Sequence, residues 1–283
     1  MSRVYSWRAM GTDYRLWLPT LNESDGEAVA FELREAVKRL ERQLSLYQPD
    51  SDLCYLNAHA HQHPVCLEPE MFRLIQLCKA LWEQTEGAFD PSITPVLRLW
   101  GFVDKQYRVP EPSAIEQAME QVGMDLVLLE PEGRWVYYAV PGVELSFGAI
   151  GKGWAVAECR RLLNELGIPS ALIDAGGSTF YALGHSPDDS GWRVRATPEC
   201  EIVLTDRAFA TSGGAEQWFE AGGKRYCHLI DPRTGYPLPS WRQLSLVHSD
   251  PVLADALSTA LVVDPELRTR FPDLQMWLED ASE

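Results

Sequence analysis

The chain has 283 residues, 46% of them hydrophobic, and a formal net charge of −16 from 41 acidic and 25 basic residues. Length and apolar content suffice for one large domain or two intimately joined ones. The acidic balance argues against broad binding to nucleic acid or anionic membranes, which needs an excess of Lys and Arg. Any polyanionic ligand must instead be held by local devices: a metal ion, a helix N-terminus, or single basic side chains.

The six cysteines, at 54, 66, 78, 159, 200 and 227, show no CxxC or zinc-type spacing and read as scattered inert thiols. The N-terminal stretch has no apolar core segment and no lipobox, and no run approaches the length of a membrane span. As given, the chain reads as cytoplasmic, or as periplasmic if a leader has been removed.

In chain order, residues 4–19 alternate loosely and predict a strand pair, or one strand bent at Gly11. Residues 27–46 carry Val29, Leu33, Val37, Leu40 and Leu44 at helical spacing, with Asn22, Ser24 and Asp25 as candidate caps. A polar turn follows at 48–52. The string His59, His61, His63 lies in a segment with Gln and Pro, where a solvated connection is a better reading than a metal site. Residues 67–86 predict a second helix, and 111–122 a short one. Residues 126–140 alternate as a hairpin about Pro131-Glu132-Gly133.

From Val143 a strand is expected to run into a helix ending near Leu166, through Gly148-Ala149-Ile150-Gly151-Lys152-Gly153. Glycines at such a junction expose N–H groups at a positive helix end, which suits phosphate, and Lys152 adds a point charge. The pattern is neither a Walker loop nor a Rossmann fingerprint. Residues 170–184 read as strand, glycine turn, strand. Short strands follow at 192–196 and 201–204, then a longer one at 224–230 closed by the Asp231-Pro232-Arg233-Thr234-Gly235 turn. A strand at 244–249 and a helix at 251–262 precede an acidic tail, 264–283, read as a last helix and strand with a frayed end.

Two features carry chemistry. Asp255 and Thr259 stand four residues apart on the 251–262 helix, so both oxygens lie on one face. A carboxylate and a hydroxyl are hard donors suited to Mg²⁺, although a solvated helix face would show the same spacing. His228, three residues before Asp231-Pro232, is the best general base because imidazole titrates near neutrality. A buried, hydrogen-bonded core histidine is the other reading. Asp231 either orients His228 or, the reading preferred, caps its own turn. Arg233 meets phosphate or acceptor, or is an exposed turn residue. Thr211 and Ser212 are candidate donors to phosphate oxygens.

The chain resembles the ApbE-type FAD:protein FMN transferases. Matching blocks run in order: Met10-Gly-Thr, SLYQPDSDLCYLN (45–57), TEGAFDPSITPVLRLWGF (85–102), GAIGKGWAV (148–156), LIDAGGSTFYALG (172–184), ATSG (210–213), HLIDPRTGYP (228–237) and ADALSTAL (254–261). The resemblance implies an α+β fold with a mixed, largely antiparallel sheet system and packed helices, T-fold-like. It implies one domain over 1–283, whose portions of about 1–145 and 146–283 flank an FAD cleft. The reaction implied is transfer of FMN from FAD to a Thr or Ser hydroxyl of an acceptor protein, releasing AMP, with Mg²⁺ required.

The same resemblance places Met10, Tyr47, Ala88, Phe89, Asp90, Ser146, Lys152 and Ile230 at the cofactor. It makes His228, Thr211 and Ser212 catalytic, and gives the metal Asp255, Thr259 and a backbone carbonyl of Ala149 or Gly151. Three positions depart from the family pattern: Ser146 and Ala157 stand where Asp is usual, and Gly214-Ala215 where Asp-Tyr is usual. Asp174 replaces a usual Asn. A flavin-binding protein without transfer activity and a hydrolase giving FMN and AMP are the rival readings.

Overall fold

A computed structural model describes residues 4–238 and 241–281. Its centre is a seven-stranded sheet of β1 (Val4–Ala9), β2 (Thr12–Trp17), β3 (Ala171–Ala175), β4 (Thr179–Leu183), β5 (Arg207–Gly213), β6 (Trp241–His248) and β7 (Gln275–Ala281). Spatial order follows chain order, and every neighbouring pair is antiparallel. The expected α+β class with largely antiparallel sheets is borne out. Of the 264–283 tail, whose end is expected to fray, residues 282–283 lie outside the described residues.

The helices are α1 (Glu23–Leu44), α2 (Asp52–His59), α3 (Pro69–Gln84), α4 (Thr94–Leu99), α5 (Pro112–Met119), α6 (Gly151–Glu165) and α7 (Pro251–Val263). One sheet face carries Leu16, Ile173, Ala210 and Leu246 into the main core with Val156 and Leu163 of α6 and Leu257 and Leu261 of α7. The other face is covered by the hairpin Trp192–Thr197 and Cys200–Leu204, packed on Leu172, Ala182 and Phe209. This is the period-two alternation of a strand buried on both sides. Along β5, Ala208 and Ala210 face the helices and Phe209 faces the hairpin.

A third cluster joins Val96, Trp100, Phe102 and Ile115 to Phe219 and Ile230. It seats a second hairpin, Trp218–Ala221 and Lys224–Cys227, against the α4–α5 region. The Trp100 indole donates to the Gly235 carbonyl at 3.0 Å, pinning the turn beyond that hairpin.

Several local expectations are corrected. Among the described residues the segment 143–147, expected as a strand, joins no ladder, and the backbone groups of Leu145 and Ser146 bond elsewhere. The Asn57 amide takes the place of a neighbouring strand, accepting from Leu145 N and donating to Leu145 O, each at 2.9 Å, while Ser146 N donates to Pro91 O. Asp52–His59, with residue 52 expected in a turn, 58–59 in a loop and 53–57 without assignment, form α2, capped by the Ser51 hydroxyl accepting from Cys54 N at 3.0 Å. α1 starts at Glu23 rather than Glu27, since Asn22 caps it. The strand expected over 224–230 breaks after Cys227, and Ile230–Asp231 pairs instead with Tyr236–Pro237. Trp218–Ala221 is a strand that periodicity did not single out.

α6 and α7 meet at Gly153. A Cβ there would lie 2.4 Å from the Pro251 carbonyl and 2.7 Å from Asp255 Cβ, so only glycine permits this approach. Gly153→Ala is expected to cost about 1–3 kcal/mol in urea denaturation, through forced separation of the two helices.

Candidate active site

A cavity of about 250 Å³ opens where the end of β5, the start of α6, one face of α7 and residues 228–230 converge. Asp255 and Thr259 both line it, one helical turn apart as the spacing predicts. Asp255 is only 2% exposed. Its Oδ2 accepts from Gly153 N at 2.8 Å and its Oδ1 from the Thr179 hydroxyl at 3.1 Å. Both donors are neutral, so among the described residues the buried carboxylate lines the cavity without a cationic partner, an arrangement that ordinarily demands one.

The start of α6 forms the adjoining wall. No side chain caps this helix. Gly153 N–H, which in a regular turn would close onto the Ala149 carbonyl, is given to Asp255 instead, leaving the carbonyl unbonded among the described residues. Ala149 and Lys152 line the cavity, and among the described residues Lys152 forms no ion pair. Gly151 is buried behind them, where a Cβ would be 3.4 Å from the Met10 methyl, and its carbonyl is inside the helix. Of the two residues whose carbonyls the resemblance offers for a metal, Ala149 lines the cavity and Gly151 does not.

Thr211 and Ser212 are neighbours on β5, so their side chains point to opposite faces. The Ser212 hydroxyl lies 2.7 Å from that of Ser258 and 3.0 Å from that of Thr259, on the α7 side. The Thr211 hydroxyl is 2.8 Å from Ser245, which donates to the Ala196 carbonyl of the covering hairpin. Thr211 therefore contributes backbone to the cavity wall, not its hydroxyl.

His228 enters from the break between the two short ladders. Its backbone N and its ring Nδ1 both bond to the Gln217 carbonyl, at 2.9 and 3.1 Å. A carbonyl only accepts, so Nδ1 carries the proton and Nε2 keeps its lone pair. Burial holds the His228 pKa below the ordinary imidazole value, with Lys152 adding to the effect and Glu216 and the Gln217 carbonyl opposing it. Asp231 engages its own turn, accepting from Arg233 N at 3.0 Å and pairing with the Arg233 guanidinium, which also reaches Asp264 at 2.7 Å. Neither Asp231 nor Arg233 lies in the cavity wall.

Ala88, Asp90, Ser146 and Ile230 line the cavity, and Tyr47 stands at its edge, 72% exposed. Ser146 Oγ accepts from Gly148 N at 3.4 Å. Two expected cofactor residues lie outside the wall. Phe89 is core, its backbone N bonded to the Thr85 hydroxyl. Met10 sits beneath Gly151, its N donating to Glu41 at 2.8 Å. The sequence reading passed over Thr179, Ser258 and Gly153 as partners of Asp255 and Thr259. The signals were a hydroxyl opening an apolar strand and a glycine one turn into a helix.

A helix end without a side-chain cap, a lysine with no ion pair among the described residues, a buried carboxylate and a histidine of lowered pKa thus converge on one cavity. The profile of the ApbE family matches residues 10–271, and the chain belongs to that family. It is 30% identical over 271 residues to an FAD:protein FMN transferase of Klebsiella pneumoniae, spanning 92% of this chain and 82% of that protein. The ApbE protein of Thermotoga maritima superposes with a TM-score of 0.91 at 27% identity, over 100% of this chain and 97% of that one. The Pseudomonas stutzeri flavinyl transferase ApbE does so at 0.89 and 27%, over 100% and 92%. Among the described residues no helix is long and apolar enough to cross a membrane.

Asp90 generates a stability prediction. Burial pushes its pKa up to about 6, against the lowering effect of bonds from Ser92 N and the Ser92 hydroxyl to Oδ1. The folded chain therefore binds this proton more tightly than the unfolded one, and stability falls as pH rises from about 4 through about 6. Asp90→Asn keeps the acceptor and removes the charge. It should gain about 2–3 kcal/mol relative to the parent at pH 8 and much less at pH 4, as read by urea denaturation at both pH values.

Proposed function

We propose that this transferase cleaves the pyrophosphate of FAD and passes FMN to a Thr or Ser hydroxyl of an acceptor protein. The hydroxyl oxygen bonds to the FMN phosphorus, the bond from that phosphorus to the AMP oxygen breaks, and AMP leaves. His228 Nε2 takes the hydroxyl proton. The observation that carries this reading is the placement of a lone-paired imidazole across one cavity from Asp255, Thr259 and the start of α6.

The donor set fits a hard divalent cation. A buried carboxylate lacking a counter-charge, a hydroxyl and a carbonyl without a hydrogen bond are all oxygen donors. Among the described residues no three His, Cys, Asp or Glu side chains converge as a softer or more highly charged site would require. Asp255, Thr259 and the Ala149 carbonyl would hold Mg²⁺. When bound, the ion supplies charge neutralisation on the pyrophosphate and on the departing oxygen. Lys152 and the α6 N-terminus orient the phosphates. Burial keeps His228 neutral and ready to accept a proton. The wall of Ala88, Asp90, Ser146 and Ile230, with Tyr47 at the edge, is assigned to the nucleotide, between the 1–145 and 146–283 portions.

The test is mass spectrometry of a candidate acceptor incubated with FAD and Mg²⁺. An adduct of FMN mass is expected, and it should vanish with EDTA. Free FMN and AMP formed without acceptor, and no adduct with it, would instead identify a hydrolase. His228→Ala should lower transfer about 10²–10⁴-fold with FAD affinity retained. Because the pKa of His228 is lowered, kcat/KM for the parent should fall only on the acid side, with its midpoint below the usual value of about 6.5. A plateau beginning only above pH 7 would remove His228 from the mechanism.

A further inference from the structure

The hydroxyls around Thr259 form a directed chain. Ser258 Oγ lies 2.8 Å from the backbone carbonyl of Asp255, which only accepts, so the single Ser258 proton is spent there. The 2.7 Å contact between Ser212 and Ser258 then requires Ser212 to donate. With its own proton spent, Ser212 accepts at 3.0 Å from Thr259. The proton of Thr259 thus points at Ser212, and the lone pairs of its oxygen are left toward the cavity. Ser258 is fully buried and lies outside the cavity wall, yet it sets the direction of the chain.

We infer that Ser212 and Ser258 are positioning residues that make the Thr259 hydroxyl a one-sided acceptor, turning an otherwise rotating hydroxyl into a ligand for a divalent cation. This rests on the reading that Asp255 and Thr259 hold such a cation. It changes the part given to Ser212: its proton belongs to Ser258 and does not reach a phosphate oxygen. A freely rotating threonine hydroxyl would present its proton to the cation in part of its orientations, and each must be abandoned on binding. The chain removes that cost before the ion arrives.

Mn²⁺ is the probe, followed by electron paramagnetic resonance with FAD saturating and no acceptor present. FAD affinity is measured separately at saturating Mn²⁺. Ser212→Ala and Ser258→Ala should each weaken Mn²⁺ binding about 10-fold, while Ser212→Thr, which keeps the hydroxyl, restores most of it. The metal-free melting temperature of Ser258→Ala should stay near that of the parent, separating orientation from a general loss of structure. Asp255→Asn should abolish Mn²⁺ binding. If Asp255→Asn loses the ion while both serine variants bind it as the parent does, the relay is wrong and the metal site stands. A Ser212→Ala variant that loses FAD affinity but not Mn²⁺ affinity returns Ser212 to the phosphate and likewise overturns the inference. Parental Mn²⁺ binding by Asp255→Asn sinks the metal site and the relay together.

Discussion

The contact between the Asp255 carboxylate and the Gly153 N–H sets the rest of the site. It joins α7 to the first turn of α6, and the Thr179 hydroxyl adds β4 as a third support. One hydrogen bond has several consequences. It orients the carboxylate, it withholds a donor from the Ala149 carbonyl, and it aims the open end of α6 at the same space as Thr259. The contact depends on the absence of a Cβ at Gly153, because any side chain would meet the Pro251 carbonyl. The close helix approach and the electrostatics of the cavity are therefore one feature.

His228 is held by different means. It stands beyond the ladder of the second hairpin, whose Phe219 stacks on Tyr107 with ring centroids 5.3 Å apart and on Tyr226 at 5.2 Å. That aromatic cluster belongs to the region of α4 and α5, whereas Asp255 and Thr259 belong to the sheet and its helices. The imidazole is thus held from both cores: Phe102 of the aromatic cluster lies edge-on to its ring at 6.5 Å, while the flanking Cys227 and Leu229 pack in the core that carries α7, and the Trp100 bond to Gly235 helps to hold the aromatic cluster in place. Substitutions in the α4–α5 region would reach His228 through Phe102 before they reach α7.

Much of the site was legible from spacing. Asp255 and Thr259 needed only the helical period, and the α6 junction needed only its glycines and strand-helix order. Thr211 and Ser212 mark where that reading stops. Period two dictates that they oppose each other, but deciding which one faces the site requires knowing which sheet face α7 covers, and that is a tertiary fact. Phe89 and Met10 fall in matching motifs yet lie in the core or beneath α6, because a motif holds supporting residues as well as contacting ones. The missing strand at 143–147 has a similar cause. Its apolar pattern is real, but its backbone is satisfied by the Asn57 side chain, a partner 88 residues distant from Leu145 that no local signal could reveal.

The charge balance gives the site its logic. A chain of net charge −16 repels a pyrophosphate at long range, so binding must come from short-range groups that are worth more where water is excluded. In the proposed reaction Lys152 and the α6 end would serve that purpose, and Ser146 in the same wall adds no charge that would oppose a phosphate. His228 lies between opposing influences. Burial and Lys152 favour its neutral form, while Glu216 favours its charged form. An arriving phosphate would add to the second group and strengthen the base as the reaction begins, whereas a cation on Asp255 and Thr259 would restrain that rise. In the proposed reaction the proton affinity of the imidazole would thereby follow the occupancy of the oxygen donors across the cavity.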